Sequence, residues 1–307
     1  MGVQTDKVSK KKMGFVALVG RPNVGKSTLM NALLGRKVAI VSPKPQTTRT
    51  QVRGILTRPE GQIVFIDTPG IHKPRHLLGE EMVKIAMESL EGVDLILYLV
   101  EASDQEISPE DEIIISLLSK VDTPKFLLVN KIDLLEYKEA FWRAIELYQD
   151  KLYFREVIPI SAFKGTNLDV LIEKIFEHLP YGEPLYPDNM VTDQSLKFLI
   201  SEIIREKLFN ELHQEIPYSV AVVLEEMERR ENKNLVYIRA TIYVERDSHR
   251  KIVIGKGGSM LKKIGRMARE EIEHILGSKV FLELWVKVRE DWRMSESDVR
   301  RLGFSEY

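Results

Sequence analysis

Eight consecutive residues, Gly20-Arg21-Pro22-Asn23-Val24-Gly25-Lys26-Ser27, satisfy the pattern G-x-x-x-x-G-K-[ST] without a mismatch. The chemistry open to such a segment is the binding of a nucleoside triphosphate. Glycines let the main chain pass close to phosphate oxygens, while successive N–H groups and a helix N-terminus supply positive potential. Lys26 reaches the outer phosphates, the Ser27 hydroxyl ligates magnesium, and Thr28 follows as the last residue of the binding segment.

Two further segments bear on which nucleotide and which reaction. Asp67-Thr68-Pro69-Gly70 follows the apolar run Ile63-Val64-Phe65-Ile66, so an acid stands at the end of a buried strand, placed to hold magnesium through water. The Gly70 N–H is then available to the γ-phosphate. Asn130-Lys131-Ile132-Asp133 follows Phe126-Leu127-Leu128-Val129. A carboxylate at Asp133 accepts two hydrogen bonds from guanine N1–H and its exocyclic amine, Asn130 bonds the other edge of the base, and the Lys131 stem covers the ring. Adenine lacks those donors, and an unpaired buried carboxylate discriminates strongly against it. Ser161-Ala162-Phe163 ends the next strand, where the Ala162 N–H reaches the guanine oxygen. The set implies GTP and GDP with Mg2+.

In this order the segments resemble the translation-factor-related GTPases. The resemblance implies a threonine between the first helix and the second strand that senses magnesium and the γ-phosphate. Gln46-Thr47-Thr48-Arg49-Thr50 fills that stretch; Thr48, directly before the arginine, is the expected ligand and Thr47 the alternative. Ile71 stands where many regulatory GTPases carry a water-orienting glutamine, so intrinsic hydrolysis is expected to be slow. The resemblance also implies potassium recruited through Asn23; by residue type alone Asn23 serves equally to stabilise the turn.

These residues need a scaffold, and the patterning supplies one. Strands are expected over 14–19, 38–41, 52–57, 62–66, 94–100, 125–129 and 156–160, and helices over 26–35, 79–90, 109–120, 136–150 and 167–178. Such alternation predicts an α/β domain with a mostly parallel sheet covered on both faces. Ser108 and Pro109 mark one helix start. At 307 residues the chain exceeds one ordinary core. The expected division is a tail over 1–13 carrying Lys7, Lys10, Lys11 and Lys12, a GTPase domain over 14–180, a proline-rich linker over 181–190 and a smaller α+β domain over 191–307. The last opens with a helix over 193–213 capped by Asp193, and continues with strands over 218–228 and 235–245.

Composition limits the partners. With 45 Lys+Arg against 46 Asp+Glu, a nucleic acid must be met by a local patch. No cysteine is present, which excludes disulfides, thiolate metal sites and cysteine nucleophiles and agrees with a reducing cytoplasm. No apolar run approaches a membrane span.

The patch exists. Between 250 and 269 stand Arg250, Lys251, Lys256, Lys262, Lys263, Arg266 and Arg269 without an acid, around Gly255-Lys256-Gly257-Gly258. A glycine loop before a helix lets main chain approach nucleic-acid phosphates while single-stranded bases lie across an apolar groove. This resembles a KH domain in which helix and strands precede the glycine loop, with Ile254 beside the loop. Ile252, Val253, Ile254 and Ile264 belong to the groove or, for most of them, the core; Trp285 and Trp292 are packing residues or stacking platforms.

Over essentially the whole chain the two modules resemble the Era family of bacterial ribosome-associated GTPases, with a longer lysine-bearing N-terminus. The resemblance implies binding of 16S rRNA near its 3' end, a role in maturation of the 30S subunit, action as a cytoplasmic monomer, and, for some members, association with the periphery of the inner membrane, for which this sequence offers no anchor. Two alternatives remain: a P-loop enzyme acting on a small molecule, and an RNA-binding protein with a vestigial nucleotide site, against which the intact Lys26, Ser27 and Asp133 argue.

Overall fold

The computed structural model describes residues 11–74, 76–137, 141–230 and 234–304. By contacts these fall into two units, one from Met1–Lys37, Arg53–Asp67 and Glu88–Asp193, the other from Val38–Val52, Thr68–Met87 and Gln194–Tyr307. Two stretches of the expected first domain, 38–52 and 68–87, thus group with the second.

The first unit is a sheet of order β2-β3-β1-β4-β5-β6, with β7 added to β1. Its strands are β1 (Lys11–Val19), β2 (Val52–Arg58), β3 (Gly61–Asp67), β4 (Leu95–Glu101), β5 (Lys125–Asn130), β6 (Glu156–Pro159) and β7 (Tyr181–Gly182), and its helices α1 (Lys26–Leu34), α3 (Pro109–Leu118), α4 (Phe141–Tyr148) and α5 (Leu168–His178). Pairing of β1 with β3 and β4, of β4 with β5 and of β5 with β6 is parallel. The strands read as unbroken apolar runs because both faces are covered; every residue of β3 is buried. Ser108 caps α3 as expected, accepting from the Asp111 N–H at 3.1 Å.

Several expectations are corrected. Lys11 to Met13 belong to β1 and not to a tail, since the Lys12 amide bonds Glu60 O, and its Nζ reaches Leu179 O at 2.6 Å and lies 4.3 Å from the centre of the Tyr181 ring. The rest of that tail, residues 1–10, lies outside the described residues, as do residues 138–140 of the helix expected over 136–150. Of that helix the structure has α4, preceded by a single tight turn at Ile132–Leu134. Residues 38–41 form no strand, although Val38, Ala39 and Ile40 are buried; the Val41 N–H bonds the Glu206 carboxylate at 3.1 Å in place of a neighbouring strand. Part of the segment expected as linker is fastened down: Tyr181 and Gly182 pair with β1, and the Gln62 amide bonds the main chain of Leu185 and Tyr186.

The second unit carries α2 (Leu77–Glu88) for most of its length, α6 (Leu196–Glu211), β8 (Ala221–Arg230), β9 (Leu235–Val244), α7 (Asp247–Ile254), α8 (Ser259–Leu276), β10 (Lys279–Val288) and α9 (Glu296–Arg301). Its sheet runs β10-β9-β8, antiparallel between β8 and β9 and parallel between β9 and β10, the parallel pair joined through α7 and α8. Ile204, Leu208, Ile238, Ile242, Ile264 and Ala268 form the centre of its core. Ser195, and not Asp193, caps α6, accepting from the Phe198 N–H at 3.2 Å; Asp193 instead accepts from the Tyr186 hydroxyl at 2.9 Å.

Candidate nucleotide site and glycine-loop face

The loop Gly20 to Gly25 leaves β1 between β3 and β4, where chain order in the sheet reverses; ligands of open α/β sheets bind outside the strand ends at such a point. Gly25 caps α1 with φ 108°, and a Cβ there would stand 2.3 Å from Asn130 Nδ2, so only glycine lets the loop close on β5. Lys26 is buried, and its ammonium is held by Gly20 O at 2.8 Å and Arg21 O at 3.1 Å. Burial lowers its pKa to about 8, opposed by the charges of Asp67 and Asp111. Ser27 Oγ lies 2.6 Å from Asp67 Oδ2. Two hard oxygen donors converging beside a phosphate loop fit magnesium by donor chemistry. Pro22 is half-buried, Val24 buried, Thr28 half-buried, and Asn23 exposed with φ 65°.

The base-reading segments are joined to this loop. Asn130, 2% exposed, donates from Nδ2 to Val24 O at 2.8 Å and accepts from the Ala162 N–H at 3.0 Å, tying the phosphate loop, β5 and the turn after β6 together. Asp133 is exposed and accepts from Ser161 Oγ at 2.5 Å, which orients its carboxylate. Lys131 takes φ 66° and its Nζ meets Glu101 at 2.7 Å. Phe163 is 77% exposed.

Thr47, Thr48, Gly70 and Ile71 belong to the second unit, where the loop 38–52 is fixed by contacts the sequence does not announce. Arg49, 2% exposed, donates to Val220 O at 2.7 Å, Tyr218 O at 2.9 Å and Pro217 O at 3.3 Å, and its guanidinium lies 5.4 to 6.0 Å from the rings of Phe209, Phe304 and Trp292. Burial first, then the like charge of Arg205, pushes its pKa down, but guanidinium keeps its proton in proteins. Arg205 donates to Thr47 O at 2.5 Å, and Lys44 Nζ bonds Phe209 O and Leu212 O. The Thr47 hydroxyl is committed to Lys44 O at 2.7 Å, while Thr48 is half-buried. Ile71 is buried and brings no polar group.

The glycine loop separates α7 from α8 with Gly255, Gly257 and Gly258 all at positive φ. A Cβ at Gly255 would meet Met260 N and Cβ at 2.8 Å, whereas Gly257 and Gly258 face open space. Lys256, Lys262 and Arg266 are exposed. The patch is less positive than its sequence window suggests, because acids outside the window enter it: Asp247 pairs with Arg250 and Lys251, and Glu211 with Lys263. Ile252 is 49% exposed and Ile254 half-buried, while Val253 and Ile264 are core. Trp292 is buried with Nε1 bonded to Ser219 O at 2.9 Å, which removes it as a stacking platform; Trp285 is 53% exposed.

Family models match both units: a 50S ribosome-binding GTPase over residues 15–131 and a KH domain over residues 215–293. GTPase Era of Caldicellulosiruptor saccharolyticus is 52% identical over 96% of this chain and 98% of its own. The chain belongs to the Era family of GTPases. A crystal structure of a variant of Aquifex aeolicus Era bound to GDP·AlF4- matches it with a TM-score of 0.92 at 44% identity, covering 96% of this chain and 100% of that one. A structure of Era with MgGDPNP and nucleotides 1506-1542 of 16S ribosomal RNA matches with the same score, identity and coverage. The Era order, GTPase then KH domain, is the order read from the motifs. Among the described residues no helix is long and apolar enough to cross a membrane.

Proposed function

We propose that the protein hydrolyses GTP to GDP and phosphate as a molecular switch, binds 16S rRNA near its 3' end, and assists maturation of the 30S subunit. The observation that carries this is the pairing, in one Era-family chain, of joined phosphate-loop and base-reading segments in the first unit with a basic glycine loop in the second. Function divides as 14–180 for GTP, 181–190 as linker and 191–307 for RNA. The name of the family model matching residues 15–131 points to the 50S subunit, but that match stops before the KH domain. The relative solved with 16S RNA spans both units, so the small subunit is the better supported partner.

Gly20, Arg21, Pro22, Asn23, Val24, Gly25 and Thr28 wrap the phosphates, Lys26 neutralises the outer ones, and Ser27, Thr48 and Asp67 hold magnesium. Magnesium, when bound, neutralises charge on the phosphate oxygens. Gly70 meets the γ-phosphate. Asp133 reads guanine, oriented by Ser161, with Ala162 at the guanine oxygen and Lys131 and Phe163 along the base. Asn130 holds these groups in register. No side chain at Ile71 orients the attacking water, so turnover is slow, and Asn23 recruits potassium to add charge stabilisation. At the RNA, the main chain of Gly255, Gly257 and Gly258 approaches phosphates in the field of Arg250, Lys251, Lys256, Lys262, Lys263 and Arg266, and Ile254 contributes to the groove.

Coupling runs through the loop that carries Thr48, since Arg49, Lys44 and Thr47 fasten it to the RNA-binding unit. The site of action is the cytoplasm, as a monomer, with contact to the inner membrane at most peripheral. Filter binding of labelled GTP, ATP and 16S rRNA fragments tests the reading. Preference for ATP favours a small-molecule enzyme, and RNA binding without nucleotide binding favours a vestigial site.

A further inference from the structure

We propose that Arg21 is a positioning residue that locks the phosphate loop to the base-reading segment through Asp104, Asp111 and Glu101. The inference rests on the GTP site described above and extends it to side chains beneath that site. Although Arg21 occupies the first variable position of the phosphate loop, its side chain turns to carboxylates. Nη1 and Nη2 form a fork on Asp104 at 2.9 and 2.6 Å, Nη1 also meets Asp111 at 2.5 Å, and Nη2 lies 3.8 Å from Glu101. Asp111 is fully buried; its Oδ1 accepts from the Tyr98 hydroxyl at 2.8 Å, and the Oδ2 that meets Arg21 also accepts from the hydroxyls of Tyr148 at 3.0 Å and Ser108 at 2.8 Å. Burial by itself would lower the Arg21 pKa; the bonds and charges of Asp104 and Asp111 outweigh it and raise it.

Each end of this network touches nucleotide machinery. At one end the Arg21 carbonyl accepts from Lys26 Nζ at 3.1 Å, so the residue clamped by Asp104 also sets the lysine directed at the phosphates. At the other, Glu101 accepts from Lys131 Nζ at 2.7 Å, and the Lys131 main chain opens the turn that presents Asp133. Buried ion pairs contribute little net stability compared with apolar packing, because desolvation offsets attraction. What apolar packing cannot supply is the direction of a bidentate guanidinium–carboxylate fork. The network accordingly serves to hold loop and base segment in one register, so that both release nucleotide together.

The test is a double-mutant cycle on the dissociation rate of a fluorescent GDP, using Arg21→Lys and Lys131→Met, two residues joined only through Glu101 in this network. Each single change is expected to speed release by about tenfold or more, and the double change by at least about threefold less than the product of the two, because either break already unlocks the register. In a Glu101→Gln background the same two changes should multiply. At saturating GTP the kcat of Asp104→Asn, a change outside the residues that meet nucleotide, should stay within about threefold of the unmodified protein while KM rises, a split that general loosening of the fold would not produce. Should Arg21→Lys fail to fold, Asp104→Asn, which leaves the pair with Asp111, replaces it under the same criterion. Multiplicative effects in the original background overturn the proposal, as does release unchanged in both Arg21→Lys and Asp104→Asn. Absence of GDP binding by the unmodified chain would overturn the GTP reading itself.

Discussion

Replacing Arg49 with methionine should undock the loop 38–52 from the KH-domain part of the second unit, residues 194–304, while leaving that part folded. Methionine keeps apolar contact with Phe209, Phe304 and Trp292 but abandons three carbonyls, those of Val220, Tyr218 and Pro217, at 2.7, 2.9 and 3.3 Å. Leaving a buried acceptor unpaired costs about 1–3 kcal/mol. Counting only the two shorter bonds gives about 2–6 kcal/mol. Removing a guanidinium that is buried at a desolvation cost returns part of this, so about 2–4 kcal/mol is the expected net loss. At 1.4 kcal/mol per factor of ten, the undocked population rises by roughly thirtyfold or more. Hydrogen–deuterium exchange of a peptide spanning 38–52 reads this directly, because the Val41 amide is protected by Glu206 within the docked loop. Exchange there should quicken by about thirtyfold or more, while β8, β9 and β10 change by less than about threefold. Unchanged exchange in the loop refutes the clamp; equal quickening in the three strands would mean that Arg49 is ordinary core.

Other outcomes follow from the same geometry. Asp133→Asn should reverse preference from guanine to xanthine nucleotides, because an amide donates to the xanthine carbonyl that replaces the guanine amine; competition binding with GDP and XDP decides it, and retained GDP preference contradicts the assignment. Asn130→Ala breaks bonds to Val24 O and the Ala162 N–H and should weaken GDP binding by about a hundredfold, as measured by titration calorimetry. Lys256→Asp combined with Gly257→Asp should abolish binding of a 16S fragment with GTP affinity within about threefold, since that loop faces solvent in the second unit. GTP turnover should be faster in potassium than in sodium, and Asn23→Ala should remove the difference; equal rates in the two salts for the unmodified protein would dispose of potassium.

The part of the expected nucleotide site that the fold joins was legible because its residue types stand at fixed spacing on loops that follow buried strands. Ser27 and Asp67 stand 40 residues apart in sequence yet meet, as the parallel-strand pattern requires. What sequence could not disclose were contacts without local periodicity. The run Val38 to Val41 reads as a strand because it is apolar, yet its burial comes from docking, with Glu206 supplied by α6. Arg49 meets Val220 across 171 positions, and nothing in a polar threonine-rich loop marks an arginine as buried. The charge of the glycine-loop face was overread for the same reason: Asp247 and Glu211 reach it from outside the basic window. Arg21 was visible only as a variable position of a motif, and its partners come from β4, the turn beyond it and α3.

The central claim is that one chain couples a GTP site to an RNA site, and the affinity for a fragment ending at the 16S 3' terminus, measured with saturating GDPNP and again with saturating GDP, tests it most directly. The account predicts affinities differing by about fivefold or more between the two nucleotides, a coupling of roughly 1 kcal/mol. Equal affinities with both nucleotides bound would contradict it.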